Sequence, residues 1–266
     1  MKENLLTSLI EQKSIRFLFK IFENNSKLIA LVGGCVRDAL LGKISRDIDI
    51  AINANPSEVI QILNKNKLDY DDFAYKYGSI ATYVDGQKFQ ITSLREDLNQ
   101  LGRHTNVIYT DDWKRDSLRR DFTINSMYLF SNGQLTDFHN GKEDLLKGKI
   151  KFIKKMEDSV QEDFLRIFRY YRFLGIFKNP EIITGYEEGL SKYCEQSLNY
   201  LSNDLMRQEI LKMFKTSFPA NCFFKEKKSI TKKYWIQLIE EHFIKNNYDI
   251  GINKCLNKIN LLLINN

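Results

Sequence analysis

The sequence predicts an α+β protein, in which a small mixed sheet carrying helices is followed by an all-helical part. Three observations predict it. Apolar runs at 28–32 and 47–52 have the length of strands. Residues 79–84 and 88–94 alternate around Asp85-Gly86, a strong short hairpin signal. Residues 162–173 mix apolar and charged positions at helical spacing. The 266 residues suffice for one large or two modest domains.

Taking the chain in order, residues 5–22 space Leu, Ile and Phe as a leading helix would. The strand at 28–32 breaks at Gly33-Gly34, and residues 35–41 carry the pattern of a short helix. Adjacent glycines let a backbone approach a ligand, and the helix after them offers N–H groups, so this turn is a candidate phosphate site. On the next strand Asp47 and Asp49 lie two apart, so both carboxylates point one way while Ile48 and Ile50 face the core. Two hard oxygen ligands on one face suit Mg²⁺. Alone, the glycines read as a tight turn and the aspartates as a solvated strand end. Together they point to nucleotidyl or phosphoryl transfer, and neither a Gly-x-Gly-x-x-Gly fingerprint nor a Walker loop is present.

Pro56-Ser57 opens a second helix running to about Lys65, with Asn55 as its cap. Many polymerase-like sites add a third carboxylate from a neighbouring strand; here that strand offers neutral Gln90, with Glu96 and Asp97 just past its end. Residues 95–110 show no periodicity and are expected to form a mobile loop.

In the block Asp116-Ser-Leu-Arg119-Arg120-Asp121-Phe-Thr-Ile-Asn125, burial of Leu118, Phe122, Ile124 and Met127 leaves Arg119, Arg120, Asp121 and Asn125 on partly buried backbone. Buried charges need partners. Either an Arg/Asp bridge is internal, or an arginine meets triphosphate while Asp121 or Asn125 holds a ribose. Residues 137–141 read as a turn and 142–155 as basic surface. On one long helix over 162–173, Asp163, Arg166, Arg169 and Arg172 would climb a single face, where three like charges make sense opposite an anion. Asp163 and Arg166 also suit base reading, the carboxylate accepting from the exocyclic amine of C or A and the guanidinium donating to the adjacent ring nitrogen.

Hydrophobic content of 43% and charged content of 28% describe a globular chain without a membrane span. The net charge is +6, and eight lysines against four acids from residue 216 onward supply +4 of it. Four cysteines without a close pair and three scattered histidines suggest neither zinc nor disulfides. With no signal-peptide pattern at Met1-Lys-Glu-Asn, the expected compartment is a reducing cytoplasm.

With these residues in view, the chain resembles the class II tRNA nucleotidyltransferases, the bacterial and eukaryotic CCA-adding enzymes, together with the bacterial poly(A) polymerases. The stretch Gly33-Gly-x-Val-Arg37-Asp with Asp47-x-Asp49 is similar to the family's first motif, and Arg119-Arg-Asp-Phe-Thr-Ile-Asn125 to its second. Residues 137–144 resemble the hinge motif, Glu162-Asp-x-x-Arg166 the base-selecting motif, and Ser202 to Lys212, more loosely, the helix-stabilising motif.

The resemblance implies a polymerase-β-like nucleotidyltransferase head at 1–150, a base-selecting helical neck at 151–215 and a shortened helical body that binds tRNA at 216–266. Asp47 and Asp49 would hold two Mg²⁺ ions for catalysis, and Gly34, Arg37 and Arg120 would contact the nucleotide. Asp163 and Arg166 would act as the base template, with Arg169 and Arg172 near the phosphates. The implied reaction adds C, C and A to tRNA from CTP and ATP without a nucleic-acid template, releasing pyrophosphate, and the expected state is a monomer. Two departures stand out: Gln90 occupies a place that is usually acidic, and the chain ends about fifty residues past the fifth motif. Lys225, Lys227, Lys228, Lys232 and Lys233 are then expected on tRNA phosphates. Addition of poly(A), of CC only or of A only, and a catalytically decayed RNA binder, are the alternatives.

Overall fold

The computed structural model describes residues 3–101, 104–197 and 199–223. Lys225, Lys227, Lys228, Lys232 and Lys233 lie outside the described residues. The chain divides into two units, the first of residues 1–100 and 104–146 and the second of residues 101–103 and 147 onward.

Two helices, α1 (Glu3–Ile10) and α2 (Lys13–Glu23), replace the single leading helix. On one continuous helix the apolar stripe of Ile15, Leu18, Phe19 and Phe22 would lie roughly 200° from that of Leu5, Leu6, Leu9 and Ile10. One straight rod cannot bury both, and the chain breaks at Gln12 (φ −59°, ψ 132°).

The next elements match their patterns closely: β1 (Ile29–Val32), α3 (Gly34–Leu40), β2 (Ile48–Ile52) and α4 (Pro56–Lys65). Asn55 and Glu58 close a reciprocal capping box on α4. Then come β3 (Tyr70–Asp71), β4 (Ser79–Val84) and β5 (Gln87–Ser93), the last two joined through Asp85 and Gly86, both at positive φ as a tight hairpin turn requires.

Residues 95–110 do not form the expected loop. They make a two-stranded ribbon, β6 (Arg95–Leu101) and β7 (His104–Tyr109), apart from the main sheet. Leu98 and Ile108 are exposed on it. Strand positions whose apolar side chains face water, as Leu98 and Ile108 do, impose no apolar alternation for the sequence to show.

The unit continues with α5 (Trp113–Leu118), β8 (Tyr128–Phe130), β9 (Leu135–Thr136) and α6 (Gly141–Lys147). The seven-stranded sheet runs β3-β4-β5-β2-β1-β8-β9, parallel only between β2 and β5. Residues Gln90, Asp49, Val32 and Tyr128 stand side by side across four strands. Paired residues share a face, so all four side chains emerge on the same side.

The second unit is helical: α7 (Met156–Glu162), α8 (Leu165–Leu174), α9 (Tyr186–Ser197), α10 (Asn203–Met213) and α11 (Ala220–Phe223). The stretch read as basic surface contributes core as well, because Ile150 and Phe152 are buried and Phe152 stacks on Tyr170 at 6.1 Å between ring centroids. Among the described residues no helix is long and apolar enough to cross a membrane.

Candidate active site

Asp47 and Asp49 are exposed at the start of β2, while Ile48 and Ile50 are buried beneath them. The glycine turn faces Asp49 of this pair. Gly33 has φ +77°, a conformation that disfavours any side chain, and a Cβ there would stand 3.7 Å from Asp49 Oδ2. Among the described residues no lysine or arginine pairs with the Asp47 carboxylate. Two exposed hard-oxygen donors on one face fit a divalent cation such as Mg²⁺.

Gln90 is the register neighbour of Asp49, the position where a third carboxylate was sought. Its amide Nε2 donates to Ser79 Oγ at 2.5 Å, so this neighbour is neutral and tethered. Glu96 and Asp97 sit on β6, where Arg115 and Arg95 bind them at 3.1 and 2.9 Å. Among the described residues no group of three or more His, Cys, Asp or Glu converges on a metal position.

Arg37, on α3, donates from Nη1 to Asn125 Oδ1 at 2.8 Å and from Nε to Asp38 at 2.9 Å. Asn125 in turn donates to Asp121 Oδ1 at 3.1 Å, which also accepts the Phe122 N–H. Asp121 and Asn125 are both buried, and these bonds tie the second motif to the helix of the first.

Arg119 and Arg120 have an internal partner, Asp116, at 2.8 and 3.1 Å. Asp116 is fully buried and also accepts the Tyr128 hydroxyl at 2.6 Å. Burial pushes its pKa up, but the charges of Arg119 and Arg120 and the Tyr128 bond outweigh that and hold it well below the usual carboxylate range. Sequence reasoning assigned no role to Asp116 or Tyr128. The spacing of Asp116 three and four residues before the arginines was the available signal.

In the second unit the expected long helix is interrupted, because Asp163 leaves α7 with extended backbone (φ −151°, ψ 104°). Its carboxylate accepts the Leu165 N–H at 3.0 Å, and that local bond starts α8. Asp163 therefore does not share a helix face with Arg166, Arg169 and Arg172. Nor does the arginine stripe depend on an outside anion. Arg166 is buried and donates to Glu162 at 2.9 Å, Arg172 pairs with Glu209 at 2.7 Å, and Arg169 lies 5.8 Å from the Phe173 ring centre. Of the two acids, Glu162 lies four residues before Arg166, whereas Glu209 comes from another helix, 37 residues beyond Arg172 (209 − 172).

Cys35, Cys194 and Cys222 are buried; burial pushes their thiols up to about 12, 12 and 11, so none is a ready nucleophile.

The glycine turn, the aspartate pair and the arginine block all fall within residues 29–151, which match the family described as "Poly A polymerase head domain". That stretch, a little under half of the chain, is similar to a poly A polymerase head domain. The chain is 38% identical over 180 residues to the mitochondrial CCA tRNA nucleotidyltransferase 1 of Danio rerio, covering 64% of this chain and 42% of the relative. The chain thus spans less than half of that relative. The crystal structure of the Bacillus stearothermophilus CCA-adding enzyme in complex with CTP matches with a TM-score of 0.71 and 25% identity, over 79% of this chain and 50% of that one. The Thermotoga maritima CCA-adding enzyme complexed with tRNA matches with a TM-score of 0.66 and 27% identity, over 90% and 61%. The proteins to which the chain is similar are thus named as nucleotidyltransferases and CCA-adding enzymes, and they include a mitochondrial form.

Proposed function

We propose that this chain is a CCA-adding nucleotidyltransferase, extending the 3′ end of tRNA with C, C and A from CTP and ATP without a nucleic-acid template. The reading is carried by the exposed Asp47/Asp49 pair facing the Gly33 turn, within a head domain whose relatives are CCA-adding enzymes. On this reading residues 1–150 are the catalytic head, 151–215 the neck, and 216–266 a reduced body that meets tRNA.

The terminal 3′-oxygen attacks the α-phosphorus; the new O–P bond forms as the α–β bridge breaks, and pyrophosphate leaves. Asp47 and Asp49 would hold Mg²⁺, and the ion would supply acidification of the 3′-hydroxyl and neutralisation of triphosphate charge. Arg37 and Arg120 bind the nucleotide beside them, and Gly34 lets it approach the backbone. Asp163 and Arg166 read the base edge, with Arg169 and Arg172 toward the phosphates.

The test is gel-resolved extension of one labelled tRNA lacking CCA, with CTP, ATP or both. Two additions with CTP and three with both are expected. A long ladder with ATP alone would mean a poly(A) polymerase, and a stop after two with both nucleotides a CC-adding enzyme. Incorporation of ATP alone onto tRNA already ending in CC, without CTP addition, would mean an A-adding one. Asp49→Ala should lower transfer by about a thousandfold or more while tRNA binding survives; unchanged binding with no extension by the wild type would leave only an RNA binder.

A further inference from the structure

The geometry points to Asp116 as a positioning residue for polyphosphate: together with Tyr128 it fixes Arg119 and Arg120 as one rigid double cation for the phosphates of the incoming nucleotide. This inference rests on the nucleotidyl-transfer reading above and extends it to residues without an assigned role.

A carboxylate has about four lone-pair positions, and four donors reach this one. Oδ1 accepts Arg119 Nε at 2.8 Å and the Arg95 N–H at 3.2 Å; Oδ2 accepts the Tyr128 hydroxyl at 2.6 Å and Arg120 Nη2 at 3.1 Å. Buried and saturated in this way, Asp116 is no general base and no metal ligand, so its effect lies in the groups it holds. Arg120 is fixed further, since its Nε donates to the Tyr128 oxygen at 3.3 Å and its guanidinium carbon lies 5.2 Å from the Tyr128 ring centre.

The rotamer freedom that a loose arginine would lose on meeting a phosphate is already lost on folding. One carboxylate shared by two guanidiniums leaves the three groups with a formal charge of +1, so the fixed pair keeps its attraction for a polyanion. Its location is suitable as well. Tyr128 follows Asp49 and Val32 across the sheet on the same face, which puts its Cα about 10 Å from that of Asp49 at the usual strand spacing.

The experiment titrates the full chain by calorimetry in Mg²⁺ with CTP and, separately, with inorganic tripolyphosphate, for wild type, Asp116→Asn and Tyr128→Phe, after circular dichroism has verified folding. Asp116→Asn should weaken both probes about tenfold or more, and to the same degree because the base is not involved, with Tyr128→Phe weakening both about threefold. Loss of fold alone would not change the affinity of each folded molecule for a base-free polyphosphate. A folded Asp116→Asn chain that binds tripolyphosphate like wild type overturns the inference. If Asp116→Asn does not fold, unchanged tripolyphosphate affinity in Tyr128→Phe overturns it instead. A wild type that binds neither probe overturns the nucleotidyl-transfer reading itself.

Discussion

Each unit of the chain fixes arginines on a buried or half-buried acid, but the second cation on that acid differs. In the first unit both cations on Asp116 are arginines whose side chains are only 14% exposed. In the second, Glu162 shares itself between buried Arg166 and Lys154, and Glu209 between Arg172 and Lys212, lysines that are 35% and 50% exposed. Water screens an exposed lysine, leaving the arginine–carboxylate pair nearly neutral there. With both cations withdrawn from water, the surplus charge in the first unit remains strong. The same residue types thus make a brace in one unit and a charged platform in the other.

The comparison breaks most directly at the acids themselves. Asp116→Ala abandons two largely covered guanidiniums and should cost about 3 kcal/mol of stability, measured by urea unfolding; a loss under about 1 kcal/mol would remove the distinction between the two units.

Glycine contacts sharpen it next. A Cβ on Gly141 would collide with the Thr123 carbonyl oxygen, which is backbone and cannot step aside, whereas one on Gly189 would meet the end of the flexible Met156 side chain. Gly141→Ala should therefore destabilise the first unit by about 3 kcal/mol, and Gly189→Ala the second by under about 1 kcal/mol, each read as a shift in thermal midpoint. Equal shifts would show that the second unit is packed as rigidly as the first.

Acid should expose the platform too. Because folding depresses the Asp116 pKa, its contribution is present above the unfolded carboxylate value of about 3.9 and is lost as pH falls below it toward the folded value. Wild type should therefore lose stability below about pH 4, and Asp116→Asn, less stable at neutral pH, should show a smaller acid loss. Parallel acid curves for the two proteins would count against this assignment. The smallest effect belongs to Lys212→Ala, at most about 0.5 kcal/mol, since its half-exposed ion pair is screened.

Sequence alone determined whatever depends on neighbours along the chain. The Asn55 cap, the Asp85-Gly86 hairpin and the exposure of Asp47 and Asp49 follow from spacing and backbone chemistry. So does the burial of Ile48 and Ile50. The ordered motifs likewise made the resemblance to the CCA-adding enzymes legible. Tertiary structure decided which charges cancel. Glu209 reaches Arg172 from another helix, and Gln90 meets Asp49 only because β2 and β5 pair in parallel with one register. Asp163 left the arginine stripe for a local bond to the Leu165 N–H, a competition between cap and helix that periodicity does not reveal. Spacing states which side chains can share a face; the energy of burying a charge, which sets whether they meet a ligand or one another, depends on what the rest of the fold brings alongside.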